Sequence, residues 1–150
     1  MNDIDTIKIW NERKDFANER ELEDFVFDNS AFWVKDFYGR DKCKITRQGY
    51  FGNIKFFGAN KPRIDLYLEL DNGKRIGIEI KNPNHLYSEL SRSISQLLSY
   101  SVIADETGNS FDELAIITSK FDPILTKVIK KFDLPIRVFI VNKVIHCEII

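Results

Sequence analysis

Histidine, cysteine and methionine are scarce in this 150-residue chain, with two, two and one of each. His85 and His146 stand far apart, so no histidine-based metal site is supported. Cys43 and Cys147 belong to no C-x-x-C pair, which leaves too few thiolates for a structural zinc site or an iron–sulfur cluster. In a reducing compartment both are expected as small buried or half-buried residues rather than as a disulfide. No hydrophobic run approaches the ~20 residues that span a bilayer. The first residues, MNDIDTIKIWNERKD, are charged and lack the apolar centre of a signal peptide. No membrane association is therefore expected, and the cytoplasm is the expected address. Ser88, Ser91, Ser93, Ser95 and Ser99 crowd one segment, but no general base stands at a spacing suited to a serine hydrolase.

Hydrophobic residues make up 43% of the chain and charged residues 30%, the balance of a folded domain. The length suits one domain over 1–150 with a real core. Net charge is −1, so no overall field draws in a polyanion. The charge is unevenly spread, however. Residues 1–34 are acidic, whereas 35–63 carry Lys35, Arg40, Lys42, Lys44, Arg47, Lys55, Lys61 and Arg63 against Asp36 and Asp41. Phe37, Tyr38, Tyr50, Phe51, Phe56 and Phe57 are interleaved with these cations. Such a mixture suits a phosphate backbone and exposed bases. It equally suits a solvated face on strands whose aromatics point inward.

Apolar residues Phe16, Leu22, Phe25 and Val26 recur at helical spacing and predict a helix over 12–28, ended by Asp28-Asn29-Ser30. Residues 31–38, AFWVKDFY, fit a short helix or a strand equally well. Residues 43–57 hold two β-like stretches around Gly49 and Gly52, as a hairpin or a bent strand, and 57–62 reads as a turn. Strands are expected at 63–70 and 75–81, joined by the Asp71-Asn72-Gly73-Lys74 turn. Pro83 closes the second. A long helix follows over 86–104, then a buried strand at 113–118. A helix at 122–132 has Pro123 in its first turn. Two last strands lie at 135–141 and 144–150, separated by Asn142-Lys143. This order predicts a three-layer α/β domain with a mixed sheet flanked by helices.

The 63–81 hairpin carries chemistry. Alternation puts Glu79 and Lys81 on one face of their strand, with Ile76, Ile78 and Ile80 on the other. The hairpin can bring Asp65 alongside Glu79. Two adjacent carboxylates repel, and in a half-buried place one would take up a proton. A hard divalent cation relieves the repulsion, since Mg²⁺ is commonly held by one or two carboxylates plus a phosphate. A neighbouring lysine can pair with phosphate or help orient and deprotonate a metal-bound water. The same letters would also serve as a solvated edge strand whose charges deter aggregation. On the following helix, Arg92, Gln96 and Tyr100 are spaced to form one polar stripe.

Pro62-Arg63-Ile64-Asp65, Glu79-Ile80-Lys81 and Gln96-Leu97-Leu98-Ser99-Tyr100, in that order, resemble the PD-(D/E)xK nuclease superfamily. The Gln-xxx-Tyr element is similar to its RecB-type branch. Asn18-Glu19-Arg20-Glu21-Leu22-Glu23-Asp24-Phe25 resembles the Glu-bearing first helix of its Holliday-junction-resolvase-like members. The matches cover roughly residues 18–100, and Arg63-Ile64 intervene where many members have Pro directly before Asp. The resemblance implies a restriction-endonuclease-like core that cuts DNA with Mg²⁺ or Mn²⁺. Asp65, Glu79 and the carbonyl of Ile80 would be metal ligands, and Lys81 would position or activate the water. Gln96 and Tyr100 would brace the site. Glu19 would supply the first-helix acid and a ligand for a second ion, with Glu23 as the other candidate. Arg47, Lys55, Arg63 and Arg92 would meet the DNA backbone. A homodimer through the aromatic-rich 31–57 region would allow two strands to be cut. A nuclease-like fold that binds DNA or a protein without cutting is the competing reading.

Overall fold

The computed structural model describes residues 4–10, 16–40, 42–50, 63–81, 86–120, 122–141 and 146–149. The expected β-like stretch around Gly52, the 57–62 turn, Pro83, His85 and Asn142-Lys143 lie outside them. In chain order the elements are β1 (Ile4–Trp10), α1 (Glu19–Asp28), α2 (Ser30–Tyr38), β2 (Cys43–Tyr50), β3 (Arg63–Leu70) and β4 (Arg75–Lys81). They continue with α3 (Leu86–Glu106), β5 (Glu113–Thr118), α4 (Pro123–Lys131), β6 (Ile136–Val141) and β7 (His146–Ile149).

Helix α1 begins where a reciprocal cap allows it. The Asn18 side chain accepts from the Glu21 N–H at 2.9 Å, and the Glu21 carboxylate accepts from the Ala17 N–H at 3.2 Å. The first bond satisfies a donor that a starting helix leaves bare, the second ties the preceding residue to the first turn, and together they fix the start at Glu19. Residues 30–38 are helical, and Gly39, with φ of 65°, ends α2 in the left-handed region. The indole N–H of Trp33 donates to the Val26 carbonyl at 2.6 Å, tying α2 back to α1.

The strands form a seven-stranded mixed sheet in the order β2-β3-β4-β5-β6-β1-β7. β2, β3 and β4 are antiparallel neighbours, whereas β4, β5, β6 and β1 run parallel. β1 was not expected from the pattern. It inserts between the last two strands, parallel to β6 and antiparallel to β7, so these two are not paired with each other. The β3–β4 turn closes as Asp-Asn-Gly-Lys should, with Gly73 at φ 85° and the Lys74 N–H held by the Asn72 side chain at 3.0 Å.

Two apolar clusters cover the two sheet faces, giving the three layers expected. Leu22, Val26, Trp33 and Val34 of α1 and α2 pack with Leu66, Leu68, Ile76, Ile78, Ile80 and Phe139. Ile94, Leu97 and Ala104 of α3 and Leu125 and Ile129 of α4 pack with Ile64, Leu114, Ile116 and Val138. The alternation of Ile76, Ile78 and Ile80 therefore commits one face of β4 wholly to the core. Fully burying each such side chain contributes about 1.5–3 kcal/mol.

Candidate active site

The site grows from the end of the β3–β4 hairpin. Leu66 pairs with Ile78 across the two strands. Continuing that register by one residue sets Asp65 opposite Glu79, where opposed side chains share a face. The Asp65 carboxylate accepts a hydrogen bond from the Ile80 N–H at 2.9 Å. Asp65 is thus tied to the backbone between Glu79 and Lys81, at the residue whose carbonyl is the expected third ligand. Ile78 and Ile80 belong to the cluster under α1 and α2, so Glu79 between them is turned to the other face.

Glu79 is only 2% exposed. Burial, then the charge and hydrogen bonding of Asp65, push its carboxyl up to about 9, and Lys81 offsets part of that rise. Both effects oppose ionisation, because a carboxylate removed from water beside a second one is costly. The Glu79 Oε1 atom is buried with no hydrogen-bond partner. Lys81 lies at the strand's end, partly exposed, and its Nζ stands 3.6 Å from the Glu19 carboxylate in the first turn of α1.

This contact separates the two first-helix candidates geometrically. Glu19 meets Lys81, whereas Glu23 meets Arg47 at 3.5 Å. Arg47 also pairs with Asp24 at 2.5 Å and lies 5.0 Å over the Phe27 ring. Arg47 of β2 therefore fastens α1 to the sheet edge through three neighbouring side chains. Of the other cations expected at DNA, Arg63 is exposed at the start of β3 and Arg92 is exposed on α3. Lys55 lies outside the described residues.

Gln96 donates to the Tyr100 hydroxyl at 2.7 Å. Both lie on α3, the helix packed against β4. Trp33 of α2 is buried, and Phe37 and Tyr38 pack partly buried against the core. Phe37 stacks on Phe139 with centroids 3.8 Å apart, and Tyr38 meets Phe139 edge-on. Cys43 is half-buried, as expected, and its burial pushes the thiol up.

The donors fit a hard divalent cation. Asp65, Glu79 and the Ile80 carbonyl could hold it, and the orphaned Glu79 Oε1 is the atom a cation would satisfy. Among the described residues no three His, Cys, Asp or Glu side chains cluster as a metal site. The chain thus offers two carboxylates and a main-chain oxygen, a set that suits an ion keeping several waters. Buried Thr118, the β5 partner of Lys81, is a neighbour that only the register reveals. In sequence it merely ends an apolar run.

No protein-family model and no curated protein matches this chain. Among solved structures, its fold is similar to that of the EndoMS–dsDNA2 complex, with a TM-score of 0.54 at 15% sequence identity. The similarity covers 87% of this chain and 48% of that one, so this chain spans about half the length of its structural neighbour. At such identity the likeness is one of fold, a mixed sheet between helical layers. No described helix is long and apolar enough to cross a membrane.

Proposed function

We propose that this protein is a divalent-cation-dependent nuclease of the PD-(D/E)xK type that hydrolyses DNA phosphodiester bonds. The observation that carries the reading is the buried Glu79 carboxyl set beside the half-buried Asp65, with Lys81 two residues on. Burial and the neighbouring Asp65 oppose the ionisation of Glu79, a pattern typical of functional sites. Fold likeness to a protein solved on double-stranded DNA supports DNA as the partner.

Asp65, Glu79 and the Ile80 carbonyl would hold Mg²⁺ or Mn²⁺, with Glu19 available to a second ion. A cation held there would supply Lewis-acid polarisation of the phosphate and a water of lowered pKa. The chain's own residues do the rest. Glu79 must release its proton as the cation arrives. Asp65, fixed on the Ile80 N–H, keeps the main chain of the site in place. Lys81 orients the attacking water or takes part in its deprotonation. The water oxygen bonds to phosphorus and the bond to the 3′ oxygen breaks, leaving a 5′-phosphate and a 3′-hydroxyl. Gln96 and Tyr100 brace the α3 side, and Arg63 and Arg92, both exposed, would meet the DNA backbone. A homodimer would cut both strands, which light scattering of the pure protein tests.

Single- and double-stranded DNA incubated with the protein and Mg²⁺ or Mn²⁺ tests the proposal. Cleavage that EDTA stops, and that Asp65→Ala, Glu79→Ala and Lys81→Ala each abolish while remaining folded, is the expected result. Full activity in any one of these variants overturns the mechanism. DNA bound but never cut would establish the non-cleaving module instead.

A further inference from the structure

Resting on that reading, we propose that Lys120 contacts a DNA phosphate beside the reacting one, and that Thr118 is the positioning residue that holds it there. Lys81 on β4 pairs with Thr118 on parallel β5, and adjacent strands lie about 4.8 Å apart. The chain leaving β5 therefore starts at the flank of the candidate site. Thr118 is fully buried. Its hydroxyl accepts from the Lys120 N–H at 3.3 Å and donates to the Lys120 carbonyl at 3.4 Å. Both main-chain groups of Lys120 are thereby bound to one buried side chain. Two residues later Asp122, itself buried, caps α4 by accepting from the Ile124 N–H at 2.9 Å. The turn is anchored at both ends.

Lys120, between these anchors, is exposed, and its ammonium forms no ion pair among the described residues. Arg47, Lys74 and Arg137 differ in this respect, since each is engaged with a carboxylate. The contrast matters because the Asp65 and Glu19 carboxylates stand at the site, and a polyanion approaching them needs cations on the rim. A fixed backbone with a free ammonium is what a phosphate contact requires, since less ordering remains to be done on binding.

Fluorescence anisotropy of labelled single- and double-stranded oligonucleotides, titrated in EDTA over a range of salt, tests this. Lys120→Ala should weaken binding about three- to tenfold near ~0.1 M salt. It should also reduce the steepness of the salt dependence by about 0.9 on duplex or about 0.7 on single-stranded DNA. Lys120→Arg should keep the steepness, and Lys130→Ala, at the far end of α4, should match the wild type. Thr118→Val should weaken binding with the ammonium still present. In cleavage assays Lys120→Ala should raise KM and leave kcat. Wild-type affinity and salt dependence in Lys120→Ala overturn the assignment while the nuclease reading stands. No DNA binding by the wild-type protein overturns both.

Discussion

Replacing Glu79 by glutamine keeps the side chain's shape and removes its charge. In the folded chain this carboxyl titrates near 9, against 4.5 when unperturbed. The native state therefore holds a proton that the unfolded state has lost between those values. The sign follows: stability is highest below about pH 4.5 and falls as pH rises toward about 9. The slope from this one group is about 1.4 kcal/mol per pH unit. Between pH 5 and 7 the wild type should lose about 3 kcal/mol relative to Glu79→Gln. For a chain of this size that is roughly 6–12 °C of melting temperature. Melting curves of both proteins in EDTA across pH 5–8 read the difference directly. Other groups cancel to first order, although Asp65 and Lys81 lie close enough to share the effect. Mg²⁺ should narrow the gap. An ion present at a hundred times its Kd stabilises the wild type by about 2.7 kcal/mol and leaves Glu79→Gln largely unaided. A gap that stays constant from pH 5 to 8 would refute a buried, proton-holding Glu79.

Gly77→Ala should destabilise the chain by about 1–3 kcal/mol in urea unfolding. A Cβ there would come within 2.8 Å of the Ile64 Cδ1 and 3.2 Å of the Phe111 ring, two residues before Glu79. Phe139→Ala should cost about 3–5 kcal/mol in the same assay, because the ring is fully buried and carries the stacked Phe37. Arg47→Met and Asp24→Asn should each cost about 0.5–1 kcal/mol, and a double-mutant cycle should find them non-additive. Additive effects would show that Arg47 does not fasten α1.

The β3–β4 hairpin was legible because its signals are local: strict alternation in RIGIEIK, the Asp-Asn-Gly-Lys turn and one displaced acid in RIDLYLEL. For α1 the apolar spacing suggested a start at residue 12, earlier than the Asn18 cap allows. β1 was hidden for two reasons. IDTIKIW sits in a charged segment with imperfect alternation, and its partner β6 lies about 130 residues away. AFWVKDFY could not be divided between helix and strand, because a short apolar run carries either period. The αL stop at Gly39 and the Trp33 bond to Val26 settle it as helix. The meeting of Glu19 with Lys81, and of Glu23 with Arg47, depends on how α1 lies across the sheet. No spacing within α1 encodes that. The cation-and-aromatic pattern of 35–63 likewise could not say that Phe37 and Tyr38 turn inward, since the burying partner, Phe139, is a hundred residues downstream.

The most direct test is anomalous diffraction from crystals soaked in Mn²⁺. A peak bound by Asp65, Glu79 and the Ile80 carbonyl, absent from Asp65→Ala crystals, is the expected result. Mn²⁺ found only elsewhere, with no peak beside Asp65 and Glu79, would contradict it.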